Sequence, residues 1–254
     1  MSQTPLGSTR THVRADHAVI GPDGHVSASL HGWRNTEGVM LVSPAMGAAG
    51  GIASRGPGFA MYLAQLSKES SLQPTDSDVE RLIYVLAGEL EAGGKTLGPE
   101  SYLFLPPGDD CDLSIRSESR ALVFEKRYVP LLGTEPPGRL IGHLADCDAA
   151  PFMGDENARL ACLLPDQVSF DMAVNVFTFD PGTPLPFVET HVMEHGLFMS
   201  KGQGIYRLSD QWYPVTKGDA IWMAAYCPQW FVAMGKSPAQ YIYYKDMHRS
   251  HLAS

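Results

Sequence analysis

The sequence predicts an all-β protein built as two tandem halves, and three observations carry that prediction. Its 254 residues include 25 glycines and 19 prolines, a turn-rich proportion that suits many short strands better than a helical bundle. A grammar of strand, turn, strand, turn, strand is written twice along the chain. No segment sustains a long apolar run at helical period.

The elements follow in order. The start of the chain is polar through Arg14, carries Pro5 and Gly7, and lacks the apolar core of a leader or a membrane span. Residues 1–35 resist strand patterning and are set apart as an N-terminal extension. The first half is assigned to residues 36–138. Residues 59–66 fit either period, and their place in the repeat assigns them to a strand. Arg81-Leu-Ile-Tyr-Val-Leu-Ala-Gly88 is the next strand and ends on a glycine. Glu-Leu-Glu-Ala, a Gly93-Gly94 turn, a short strand and Tyr102-Leu-Phe-Leu-Pro-Pro-Gly108 complete the pattern. The stretch 130–138, rich in Pro and Gly, suits neither helix nor strand and reads as a linker. The second half, 139–254, repeats the order with His195-Gly-Leu-Phe-Met-Ser-Lys-Gly202, Gly204-Ile-Tyr-Arg-Leu208, a Ser209-Asp210 turn, Trp212-Tyr-Pro-Val215 and the apolar run from Ala220.

Composition narrows the function. With 44% hydrophobic residues the chain can bury real cores, which excludes a disordered polymer. A net charge of -9 with no basic cluster excludes sustained binding to a phosphate backbone, so no nucleic-acid partner is expected. Cys111, Cys147, Cys162 and Cys227 are unevenly spaced without a C-x-x-C pair, which predicts reduced thiols in a cytoplasmic protein. Trp33 and the stretch 40–42 are apolar outside the repeat pattern, and they predict a homo-oligomer.

The chemistry concentrates between Gly182 and Gly202. Glu189 and His191, two residues apart, share one face if the segment is a strand, and a turn at 192–194 returns His195 beside them. Two imidazoles and a carboxylate on one patch suit a divalent metal. Any one of them alone is usually a surface polar residue, but three within seven residues of a glycine-flanked repeat favour a site. His191-Val-Met-Glu194-His195 also fits H-x-x-E-H, a zinc-protease pattern that needs a helix. Pro184, Pro186, β-branched Thr190 and Val192, and Gly196 all oppose a helix there.

These residues resemble the cupin superfamily. Its first motif matches Gly182-x(6)-Glu189-x-His191-x(3)-His195-x(6)-Gly202 with the ligand types permuted, and its second maps onto Gly218-x(5)-Ala224-x-Tyr226-x(2)-Gln229. Aligned on Gly88 and on the Pro106-Pro-Gly108 turn, the first half's ligand slots fall on Thr75, Ser77, Arg81 and Cys111, a set that opposes a cation. The string Glu-Thr-His-x-x-Glu-His-Gly from Glu189, the following Gly202-Gln-Gly-Ile-Tyr206, and Tyr241-Ile-Tyr-Tyr-Lys245-Asp246 further resemble the (S)-ureidoglycine aminohydrolase family.

The resemblance implies a bicupin of two β-barrels with an empty first barrel and one Mn²⁺ in the C-terminal barrel. It implies hydrolysis of a small-molecule substrate, (S)-ureidoglycine, to (S)-ureidoglycolate with release of ammonia in purine (allantoin) breakdown. The family's metal ligands carry over to Glu189, His191, His195 and Gln229, and its substrate contacts to Tyr206, Tyr241 and Lys245. Glu189 and Lys245 are the candidates for proton transfer. Two other readings stand beside this one: a non-haem Fe(II) dioxygenase, because two His and a carboxylate also suit oxygen chemistry, and a cupin that binds a small acid or sugar without turnover.

Overall fold

The computed structural model describes residues 9–46, 56–73 and 76–249. Thr75, one of the first-half slots, lies outside them. The all-β expectation holds: among the described residues there is no α-helix, and short 3-10 turns such as Pro22–Gly24 and Leu144–Asp146 are the nearest approach to one. Phe59–Leu66 is a strand. Residues 129–139 carry no regular structure. The four cysteines form no disulfide with one another. No helix among the described residues is long and apolar enough to cross a membrane.

The internal repeat is visible in the strand pairing. In the first half Val79–Ala87 lies between Ser101–Leu105 and Ser119–Arg127. In the second, His195–Lys201 lies between Ala220–Met223 and Ala239–Asp246. Each half adds a three-stranded sheet, Leu90–Ala92 between Lys95–Leu97 and Leu113–Ile115 in one, Gln203–Leu208 between Gln211–Thr216 and Gln229–Met234 in the other. Gly88 and Gly202 end the two equivalent strands at φ +83° and +70°, where a side chain is strained, and a Cβ there would collide with the carbonyl of Glu118 or of Pro238.

The chain forms two compact units that are not continuous stretches. One contains described residues of Met1–His25 with Ala149–Ala161 and Asn175–Lys245; the other contains Val26–Asp148, Cys162–Val174 and described residues of Asp246–Ser254. The expected boundaries at 35/36 and 138/139 do not coincide with these units, for a specific reason. The outer strand of each repeat takes a further partner from beyond its boundary. His17–Ile20 pairs with Ala220–Met223, and Leu140–His143 pairs with Ser101–Leu105. The N-terminal segment is therefore part of the sheet that carries the site. In that eight-stranded sheet the order is His12–Val13, His17–Ile20, Ala220–Met223, His195–Lys201, Ala239–Asp246, Met172–Phe179, Asp155–Cys162, Ala149–Phe152.

The two interiors differ. The unit of the first repeat packs aliphatic and small residues such as Ala64, Ile83, Val85, Leu103, Ala121 and Val123. That of the second packs aromatic rings, Phe177, Phe179, Tyr206, Phe231 and Tyr241 among them. Trp33, Leu41 and Val42 are buried, with only Met40 of that group exposed, so they are core residues and not the exposed patch their position in sequence suggested. Their burial removes them as an argument for an oligomer.

Candidate functional site

All seven residues singled out in the sequence line one cavity of about 170 Å³: Glu189, His191, His195, Tyr206, Gln229, Tyr241 and Lys245. Three stretches of backbone bring them together. His195 is the first residue of its strand, and its register partners are Met223 on one side and Lys245 on the other. Along Ala239–Asp246, the alternate residues Tyr241, Tyr243 and Lys245 face the cavity, as the two-residue period of a strand requires. Gln229 opens the strand Gln229–Met234 and pairs both ways with Glu189: each backbone N–H donates to the other's carbonyl, at 2.8 and 2.9 Å.

One step of the sequence reasoning needs correction. Glu189 and His191 do not lie on a strand; between Thr183 and Glu194 only Pro184 and Glu189 make isolated bridges, to Val232 and Gln229. Pro184 and Pro186 lack the N–H groups that a continued ladder needs. No helix forms at His191–His195 either, so the protease pattern has no structural basis.

The imidazoles converge. His195 Nδ1 faces the Tyr244 carbonyl and His191 Nδ1 the Met193 carbonyl, each at 3.2 Å, which makes Nδ1 the protonated nitrogen of both rings. The two Nε2 atoms, each then carrying a lone pair, lie 2.9 Å apart. Burial, with His191 alongside, lowers the His195 pKa to about 3, so its ring is neutral at physiological pH. Two imidazole Nε2 atoms aimed at each other, with Nδ1 of each ring facing a backbone carbonyl, fit an electron-pair acceptor such as a divalent cation. Gln229 Nε2 donates to His191 Nε2 at 3.0 Å, and Tyr206 donates to Gln229 Oε1 at 3.1 Å. To offer its oxygen to a metal, the amide turns over, and the Tyr206 hydroxyl then accepts from it. Glu189 is shielded from water, which raises its carboxyl pKa against the opposing pull of Lys245. Burial pushes the Tyr206 and Tyr241 phenols well above their ordinary range, with the Glu189 charge adding to the effect, so both are protonated hydrogen-bonding groups.

The first half lacks this set. Arg81 occupies the place of His195 by register, since it pairs with Leu105 and Glu125 as His195 pairs with Met223 and Lys245. Its buried guanidinium makes an ion pair with Glu125, which also accepts from Tyr62 at 2.7 Å. Ser77 is exposed, and Cys111 packs half-buried against that unit's core.

Asp16, His17 and Cys227 form a second group whose ligand atoms lie within 4.8 Å of one another. Both His17 nitrogens are in use, Nδ1 with Asp16 at 2.9 Å and Nε2 with the Tyr213 hydroxyl at 2.8 Å, and burial lifts the Cys227 thiol to about 11. A protonated thiol beside an imidazole bonded at both nitrogens braces the N-terminal strand better than it binds a cation.

Sequence reasoning passed over Tyr243 and the apolar wall of the cavity, which Phe152, Leu160 and Phe177 help to form. The alternation of Tyr241, Tyr243 and Lys245 held the signal for Tyr243. Nothing in the sequence announces Phe152 and Leu160, because they come from two strands far from the motif.

Comparison with known proteins places the chain. No family model matches it. It is 38% identical to an (S)-ureidoglycine aminohydrolase of Arabidopsis thaliana over 97% of this chain and 80% of that protein. The crystal structure of the Escherichia coli protein Ylba superposes with a TM-score of 0.79 at 31% identity, covering 96% of this chain and 97% of that one. A cupin 2 conserved-barrel protein of Leptotrichia buccalis, 12% identical, superposes with a TM-score of 0.58 over 90% of this chain and 96% of that one, which shows a shared fold alone. The relatedness to the Arabidopsis protein runs along nearly the whole chain, and by it the chain belongs to the (S)-ureidoglycine aminohydrolase family.

Proposed function

We propose that this chain hydrolyses (S)-ureidoglycine to (S)-ureidoglycolate and ammonia in the cavity lined by Glu189, His191, His195, Gln229, Tyr206, Tyr241 and Lys245. The observation that supports this most is the convergence of all seven on one small cavity in a chain 38% identical to a protein named for that activity. Within the reaction, the bond from the α-carbon to its amino nitrogen breaks and a bond to a water oxygen forms. The proton that water gives up ends on the departing ammonia.

Glu189, His191, His195 and Gln229 would hold one Mn²⁺ ion per chain. When bound, such an ion supplies a Lewis-acid template for the carboxylate and amino group of an α-amino acid. The protein's own groups do the rest. Lys245, beside His195 across the strand pair, matches a substrate carboxylate in charge. Glu189 is the group that takes a proton from water and returns it to the leaving nitrogen. Tyr206 holds the Gln229 amide, and the apolar wall limits water around the reacting carbon. The two repeats are read as two cupin barrels with a metal only in the second.

The test is ammonia release from (S)-ureidoglycine by protein loaded with Mn²⁺, stripped by chelator and reloaded. Release that falls on stripping and returns with Mn²⁺ is the expected result. Oxygen uptake without ammonia, or no release with any divalent ion, would overturn the proposal. A homo-oligomer is also proposed, now on exposed Leu132, Val168, Phe187, Trp212 and Tyr226. Light scattering at micromolar protein is expected to give a multiple of the chain mass, and a monomer mass counts against it.

A further inference from the structure

We propose that Glu80 and Asp171 form a buried proton site in the unit of the first repeat: Glu80 keeps its carboxyl proton in the folded protein and donates it to Asp171, and loss of that proton at alkaline pH loosens the stretch that carries Asp171. Both side chains are fully buried, at 0% exposure. Glu80 lies in Val79–Ala87, and Asp171 immediately precedes Met172–Phe179. Asp171 Oδ2 already has donors, the Lys126 ammonium and the Val129 N–H, the latter at 2.7 Å. Asp171 Oδ1 and both Glu80 oxygens meet no N–H or hydroxyl donor among the described residues. The two carboxyls instead hydrogen-bond each other, and such a bond exists only if one of them holds a proton.

The surrounding charges decide which group holds it. Asp171 has the cation and the N–H, so it is the carboxylate. Glu80 faces that carboxylate, with Lys126 as its own register partner across the strands and Arg249 nearby. Arg249 donates to the carbonyls of Val129 and Val168 and lies over the Tyr128 ring, whose hydroxyl donates to the Ser169 carbonyl at 3.1 Å. Burial, and then Asp171, raise the Glu80 pKa well above the ordinary carboxylate range against the pull of the two cations. The Asp171 carbonyl also accepts from the Met247 N–H at 3.0 Å. One proton therefore ties the stretch around Asp171, and through it Met247, to the strand of Glu80.

The sign of the pH dependence follows. A carboxyl whose folded pKa is raised stabilises fully below its unfolded pKa, and that contribution is lost as pH rises toward the folded value. Glu80→Gln keeps the shape, donates through its amide and does not titrate. In urea unfolding, the unsubstituted protein is expected to lose stability relative to Glu80→Gln as pH rises from about 5 to about 9, the ratio of unfolding constants growing by up to about tenfold per pH unit for one proton. Infrared spectra at neutral pH are expected to show a protonated-carboxyl band that shifts in D₂O and is missing from Glu80→Gln. Asp171→Asn offers Glu80 a donor and frees Lys126, so it is expected to ionise Glu80 and remove the same band, which keeps the test open should Glu80→Gln not fold. At the alkaline end, amide exchange in residues 162–174 is expected to be faster in the unsubstituted protein than in Glu80→Gln. No such band in the unsubstituted protein, a band that survives in the variants, a stability gap that does not change with pH, or equal alkaline exchange overturns the proposal.

Discussion

Replacing His195 with alanine is expected to cost the protein its tightly held divalent ion and, with it, ammonia release. The ring is buried, fixed through Nδ1 by the Tyr244 carbonyl, and its Nε2 meets the Nε2 of His191 at 2.9 Å. Loss of a partner that only orients a metal-ligating imidazole typically costs about 10- to 100-fold in metal affinity or activity, so loss of the imidazole itself should exceed that. The backbone is expected to survive, because His195 pairs with Met223 and Lys245 through main-chain groups that alanine keeps. Elemental analysis after dialysis, beside circular dichroism, reads the result. A folded His195→Ala protein that retains its metal and its turnover would remove the imidazole pair from the site.

Glu189→Gln is expected to separate metal binding from proton transfer. Glutamine has the shape of glutamate and keeps an oxygen for a cation, and the paired N–H and carbonyl contacts with Gln229 hold the main chain in place whatever the side chain. What it cannot do is accept a proton. A positioned acid or base typically contributes about 10²- to 10⁴-fold, so kcat should fall by that order while KM changes little and part of the metal is retained. Steady-state ammonia release with metal analysis on the same preparation decides it. An unchanged kcat would assign the proton to another group, with Lys245 the next candidate.

How much could be read without coordinates depended on the range of each signal. Strands such as His195–Lys201 and Ala220–Met223 were legible because period and turn residues act over a few positions. That Glu189, His191 and His195 share one cavity was legible because their spacing is a local constraint. Trp33, Leu41 and Val42 were misjudged because burial depends on what a strand packs against, which its own sequence does not contain. Glu189 was placed on a strand because a two-residue spacing implies one, whereas the chain around it is held by scattered contacts, among them the bridge of Glu189 to Gln229, forty residues further on, and the bond from the Tyr226 N–H to the His191 carbonyl.

By itself the sequence determined that this is an all-β chain with a repeated grammar, where the repeat keeps glycines at Gly88 and Gly202, and which half carries the Glu189, His191 and His195 cluster. All of these follow from residue types at short spacing. Only the tertiary structure decided that His17–Ile20 completes the sheet of the second repeat, that Arg81 with Glu125 stands where His195 with Lys245 stands, and that Asn175 reaches Tyr243. Each of those is a pairing between strands distant in sequence, set by backbone hydrogen bonding and by which face is buried, and no local pattern encodes it.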